Sequence, residues 1–112
     1  MESMKEMLEK KAAAINQDPG KMEKVREWIN GYRGKVISLQ ADDEICHLIF
    51  QKEKVLLRDG HYSSCEFSYI GPRDVLVQVI QGKESARTAG MSGRIKGWGS
   101  LNEALQFEKL LA

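Results

Sequence analysis

The sequence predicts an α+β fold, a five-stranded, mainly antiparallel sheet with helices packed on one face. Apolar residues recur at helical spacing near both ends of the chain, over residues 3–30 and 100–111. From Gly34 the period drops to two, and short alternating runs are joined by tight polar turns. Each run carries one apolar and one polar face, which places the helices on a single side of the sheet.

Ser3 to about Asn16 reads as a helix. Ser3 and Glu6 have capping-box spacing, and Met4, Met7, Leu8, Ala12 and Ile15 form one apolar stripe. Asp18 is placed to cap a second helix with Pro19 in its first turn. That helix turns Met22, Val25, Trp28 and Ile29 inward and stops at Asn30–Gly31. "KVISLQA", "ICHLIFQ" and "VLLRDG" follow as a three-stranded antiparallel meander, and "CEFSYI" as a fourth strand. "GPRDVLVQVIQG" is a helix with Pro72 at its start, Asp74 at its positive end and Gly82 at its stop. Its inward set is Val75, Leu76, Val79 and Ile80. A brief helical "KESARTA" leads to a fifth strand, Met91 to Trp98, and Ser100 with Glu103 forms a second capping box before the closing helix.

The inward strand residues are Ile37, Leu39, Cys46, Leu48, Phe50, Val55, Leu57, Cys65, Phe67, Tyr69, Met91 and Ile95. The polar face carries Ser38, Gln40, His47, Arg58, Glu66, Ser68, Arg94 and Lys96. At about 100° per residue, Leu101, Ala104, Leu105, Phe107, Leu110 and Leu111 span roughly 220° of the last helix. That is wider than one sheet contact requires, so part of this apolar surface faces something else.

At 112 residues the chain supports one core and is read as a single domain over 1–112. Lys and Arg total 17 against 16 acids, a net charge of +1, so no global field selects nucleic acid. No apolar run approaches the roughly 18 residues of a membrane span, and "MESMKEMLEKK" lacks a signal-peptide core. Two cysteines without a secretion signal point to the cytoplasm.

The stretch "AGMSGRIKGWGSLNEAL", Ala89–Leu105, has the glycine content of a phosphate loop. Within it "GWGSLN" offers the start of a dinucleotide-binding turn but lacks the third glycine, no second strand follows its helix, and no Walker A pattern exists. Arg94, Lys96 and Trp98 alternate like a base-stacking strand, but the near-neutral charge favours a solvated face. Cys46 and His47 are strand neighbours pointing to opposite faces, which leaves His61 and Cys65 one ligand short of a zinc site. The same geometry opposes a Cys46–His47 nucleophile pair. Nothing in the residues argues for an enzyme, a metal or a cofactor.

The order of segments and the run "GKESARTAGMSGRIKGWGSLNEALQFEKLL", Gly82–Leu111, resemble the sterol-carrier-protein-2 family of lipid-binding domains. Gly82, Met91, Ser92, Gly93, Ile95, Gly99, Ala104, Leu105, Phe107, Leu110 and Leu111 fall on the family's pattern. Two positions depart from it. Gly97 replaces an aliphatic or long polar strand residue, which suggests a bulge. The ending "KLLA" lacks the peroxisomal tripeptide of many eukaryotic members and fits a stand-alone cytoplasmic version.

The resemblance implies an apolar cavity between sheet and helices that takes sterols, fatty acids, acyl-CoA thioesters or phospholipids without catalysis. Its expected lining is Leu39, Leu48, Phe50, Leu57 and Phe67 from the sheet, Leu76 and Ile80 from the middle helix, then Met91, Ile95, Leu101 and Leu105. Lys83, Arg87 and Arg94 are candidates to meet an anionic head group. Transient membrane contact stays open, and stable insertion is not expected. The alternative is an interaction module that kept the fold and lost the cavity, dimerising through Ile45, Ile49, Leu56 and Trp98.

Overall fold

A computed structural model describes residues 2–112. In chain order the elements are α1 (Met4–Asn16), α2 (Pro19–Ile29), β1 (Lys35–Gln40), β2 (Ile45–Phe50), β3 (Val55–Asp59), β4 (Phe67–Ile70), α3 (Arg73–Ile80), α4 (Ala86–Met91), β5 (Lys96–Gly99) and α5 (Leu101–Leu111).

The N-terminal caps form as their residues require. The Glu6 amide donates to Ser3 Oγ at 3.1 Å, and the Ser3 amide donates to Glu6 Oε1 at 3.2 Å. These bonds hold the Glu6 carboxyl below its usual range. Asp18 Oδ1 accepts from the Gly20 and Lys21 amides, and Asn30, left-handed at φ 43°, closes α2. Asn16 then pins the end of α1 to β3, donating to the Val55 carbonyl at 3.0 Å and accepting from its amide at 2.7 Å. The expected box at α5 does not form. Ser100 makes no side-chain cap bond, the Glu103 amide donating to the Ser100 carbonyl at 3.0 Å, and the Glu103 carboxylate is taken by Trp28 and Lys35.

The sheet has the order β3-β2-β1-β4-β5. Three pairings are antiparallel and β1–β4 is parallel, so the sheet is mixed. Ile37 faces both Leu48 and Phe67, and Leu39 faces both Cys46 and Tyr69, which aligns the buried residues in rows. Helices cover this apolar face. Across the layer runs a chain of rings: Trp28–Phe50 at 5.1 Å, Phe50–Phe107 at 5.9 Å, Phe107–Tyr69 at 5.7 Å and Tyr69–Phe67 at 4.8 Å. Edge-on aromatic packing of this kind fills the space between sheet and α5.

The opposite face departs from expectation. Ser38, His47 and Ser68 are buried rather than solvated. β3 and β4 both run parallel to β1, so the link between them must recross the sheet, and the helical face is occupied. Residues 60–66 therefore cross the polar face, where the Tyr62 amide donates to Ser38 Oγ and the rings of Tyr62 and His47 lie 5.5 Å apart. His47 Nδ1 is 2.8 Å from the Gly60 carbonyl, which can only accept, so Nδ1 carries the proton.

Three further corrections concern the second half of the chain. Met91 ends α4 instead of opening a strand, and β5 begins only at Lys96. Cys65 lies before β4 and is half-buried in a hollow that also holds Ser68, off the apolar face. Gly97 forms no bulge, because the β4–β5 ladder runs unbroken through Tyr69↔Gly97.

Candidate functional site

The site is a cleft of ≈ 570 Å³ between α4, β5 and the start of α5, with Phe67 of β4 in its wall. Two close approaches shape it. Phe67 lies against Gly97, where an added Cβ would stand 2.5 Å from Phe67 Cζ. Ile95 is buried against Gly71, whose Cβ would stand 2.6 Å from Ile95 Cγ2. Glycine at both positions lets these side chains press onto backbone.

A single carboxylate holds the elements behind the cleft. Glu108 of α5 accepts from the Tyr69 hydroxyl at 3.0 Å through Oε2, and from the Ala86 amide of α4 at 3.2 Å through Oε1. Burial, reinforced by Glu108, raises the Tyr69 hydroxyl well above the ordinary phenol range, so it stays a donor. Ser85 Oγ caps α4 through the Thr88 amide at 3.1 Å. At the far end, Glu103 Oε2 accepts from Lys35 Nζ at 2.8 Å and from Trp28 Nε1 at 3.2 Å, joining α5 to β1 and α2.

The rim is apolar and cationic. Met91 is 79% exposed, Trp98 65% and Leu101 43%, and all three border the cleft, with Trp98, paired with Ser68, also bordering the hollow on the polar face. Arg87 and Lys96 line it too, and its lining holds no carboxylate, imidazole or thiol. Arg94 is engaged elsewhere, with Nη1 2.9 Å from Glu84 Oε2 and Nε 2.7 Å from Ser92 Oγ.

Of the residues expected to line a cavity, the cleft therefore gathers Phe67, Met91, Ile95 and Leu101. Met91 is there from the end of a helix, as a rim residue and not as an inward strand residue. Leu39, Leu48, Phe50, Leu76 and Ile80 are buried in the core, away from the cleft. Leu57 is half-buried on β3, at the opposite edge of the sheet from β5. Leu105, 40% exposed, borders a smaller hollow with Lys83. The wide apolar arc of α5 has its explanation: Ala104, Phe107, Leu110 and Leu111 are buried, while Leu101 and Leu105 form its open margin. Gly90, Gly97 and Trp98 were not among the expected lining residues, although the glycine spacing around Trp98 marks the place where side chains are left out.

The other candidates are dispersed. Ile49 pairs with Leu56 on β2 and β3, whereas Trp98 lies on β5 with two strands between, so these residues form no continuous patch. His61 and Cys65 border a hollow of ≈ 390 Å³ on the polar face, and Cys46 is buried with its thiol pushed up to about 11 by desolvation. Among the described residues no group of three His, Cys, Asp or Glu is placed to hold a metal ion. No helix among them is long and apolar enough to cross a membrane.

The profile of the SCP-2 sterol transfer family matches residues 8–112. The chain belongs to this family. Solved structures share the SCP-2 fold at low identity. The ubiquinone synthesis protein UbiJ-SCP2 superposes with a TM-score of 0.66 at 15% identity, over 89% of this chain and 88% of the other. Palmitated SCP2L2 from Aedes aegypti gives 0.60 at 14%, over 98% and 95%. The sec-alkylsulfatase Pisa1 from Pseudomonas sp. gives 0.66 at 16% over 80% of this chain, which spans only 14% of that enzyme's length. A search of curated proteins by sequence found no match.

Proposed function

We propose that this SCP-2 chain is a non-catalytic lipid-binding domain over its 112 residues, and that it holds the apolar part of its ligand in the cleft between α4, β5 and α5. The observation that carries this reading is an apolar cleft whose ≈ 570 Å³ lies within the roughly 300–1,000 Å³ of small-ligand pockets. Family membership supports the ligand class, and the palmitated state named for the Aedes aegypti relative is in keeping with an acyl chain. Because the aromatic chain fills the centre of the layer, the ligand enters at the β5 end. Phe67, Ile95 and Leu101 form the wall, and Met91, with its flexible thioether, adapts to ligand shape. Each Å² of apolar ligand surface buried contributes about 25 cal/mol. Arg87 and Lys96 favour a fatty acid, acyl-CoA thioester or anionic phospholipid over a neutral sterol. A carrier role in the cytoplasm belongs to the same proposal.

Titration with a fluorescent fatty acid tests it. Saturable binding, weakened tenfold or more by Leu101→Arg in a folded protein, is expected. Absence of saturable binding overturns the reading. A second reading, a protein-interaction module, draws on the ring-filled central layer. It predicts a concentration-dependent mass in sedimentation and no co-purified lipid in native mass spectrometry.

A further inference from the structure

We infer that the hollow on the polar face of the sheet is a second binding site, separate from the lipid cleft, and that it takes a flat, uncharged nitrogen heterocycle of the kind a nucleoside carries. Its ≈ 390 Å³ also lies within the roughly 300–1,000 Å³ of small-ligand pockets.

The sheet and its crossing link build this hollow as a slot. The register sets Ser38, Ser68 and Trp98 side by side across β1, β4 and β5, with Gln40 beside Ile70 in the next row of the same face. The link over residues 60–66 covers the β1 and β2 part of that face. There the Tyr62 amide donates to Ser38 Oγ, and His47 Nδ1 donates to the Gly60 carbonyl. Beyond the link a floor of Ser68, Gln40 and Ile70 stays open. His61, Ser63 and Cys65 of the link form one wall, and Trp98, rising from β5, forms the other.

The polar groups of the slot have no partner in the protein. Ser68 is only 5% exposed, yet its hydroxyl makes no hydrogen bond among the described residues. Every fully enclosed side-chain N or O among them does have a partner, so Ser68 Oγ is reached from the hollow. The side chains of Gln40, His61 and Ser63 likewise make no hydrogen bond within the described residues. Amide, hydroxyl and imidazole together both donate and accept, which matches the mixed donors and acceptors along the edge of a nucleobase. No carboxylate, ammonium or guanidinium lines the hollow, so a charged group would enter it without counter-charge. The Trp98 indole, 65% exposed, offers a face on which a flat ring stacks while its edge meets the floor. A sugar, with hydroxyls around its whole rim, would leave those against Ile70 unpaired.

The test uses the whole protein with adenosine, guanosine, cytidine and uridine, and reads the rate at which iodoacetamide alkylates Cys65. This thiol lies in the hollow and not in the lipid cleft. At least one nucleoside is expected to slow the alkylation saturably. Trp98→Ala is expected to weaken that protection about tenfold or more, the loss of one base–aromatic stack. Ser68→Ala is expected to weaken it roughly three- to tenfold, the loss of one hydrogen bond. Both variants are checked for folding by circular dichroism, and Ser68→Ala is expected to take up a fatty-acid probe as the wild type does. No protection by any nucleoside, or protection left unchanged by either substitution, would overturn the inference. So would protection by ribose or glucose in place of the nucleosides, which would assign the hollow to a carbohydrate. Release of bound nucleoside by the fatty-acid probe would overturn it too, because hollow and cleft would then be one site.

Discussion

Gly97→Ala is the substitution that most directly engages the wall of the cleft. An ideal Cβ at this position lies 2.5 Å from Phe67 Cζ and 3.1 Å from Cε1. Ordinary carbon contacts lie at about 3.5–4.0 Å, so the ring must retreat by about 1 Å. Its other contacts restrict that movement, because Phe67 packs edge-on against Tyr69 at 4.8 Å. Overpacking of this kind costs about 1–3 kcal/mol. Replacing glycine by alanine within a strand returns about 0.5–1 kcal/mol. The expected net destabilisation is therefore about 1–2 kcal/mol, read as a lower midpoint at unchanged slope in urea unfolding. Fatty-acid binding is expected to fall as well, since Phe67 belongs to the cleft wall. Phe67→Leu in the Gly97→Ala background should recover part of the loss, giving a favourable coupling in a double-mutant cycle. A variant as stable as the wild type, or one that Phe67→Leu does not rescue, refutes the reasoning.

Three other outcomes are expected. Glu103→Ala leaves Lys35 without its carboxylate at a position only 12% exposed, and is expected to cost about 2 kcal/mol in urea unfolding, with Glu103→Gln costing less because the Trp28 bond survives. Burial raises the Glu66 carboxyl, so its protonated form is the one favoured by the fold; wild-type stability should fall as pH rises through the folded value, and the midpoint advantage of Glu66→Gln should grow between about pH 4 and pH 7. Thiol labelling of the native protein at neutral pH should modify half-buried Cys65 first and reach buried Cys46, whose thiol is pushed up to about 11, only on unfolding.

Local chemistry was legible in the sequence wherever it acts over a few residues. Ser3 with Glu6, Asp18 with Pro19, and Asn30 at the stop of α2 set both N-terminal helices, and alternation located four strands and their inward residues except Cys65. The family was legible too, because the order of segments survives where single positions vary. What escaped depends on distant neighbours. Burial of Ser38, His47 and Ser68 follows from the irregular link over residues 60–66, which has no periodicity to read. Glu103 looked like a cap because Ser100 lies three residues before it, but Trp28 and Lys35 compete for the carboxylate from other elements. Met91 was placed at the head of the fifth strand, whereas the helix capped by Ser85 runs through it to a C-cap at Ser92. Five rings pack between the layers where the sequence leads one to expect a central cavity, and no linear spacing reveals their proximity.

Paramagnetic broadening by a nitroxide-labelled fatty acid, read amide by amide in an NMR titration, tests the lipid cleft most directly. Gly90, Met91, Lys96, Gly97 and Leu101 are expected to broaden first and saturably, while Leu39, Leu48 and Leu76 in the core stay sharp. Strongest broadening at Leu39, Leu48 and Leu76, or uniform broadening that never saturates, would contradict it.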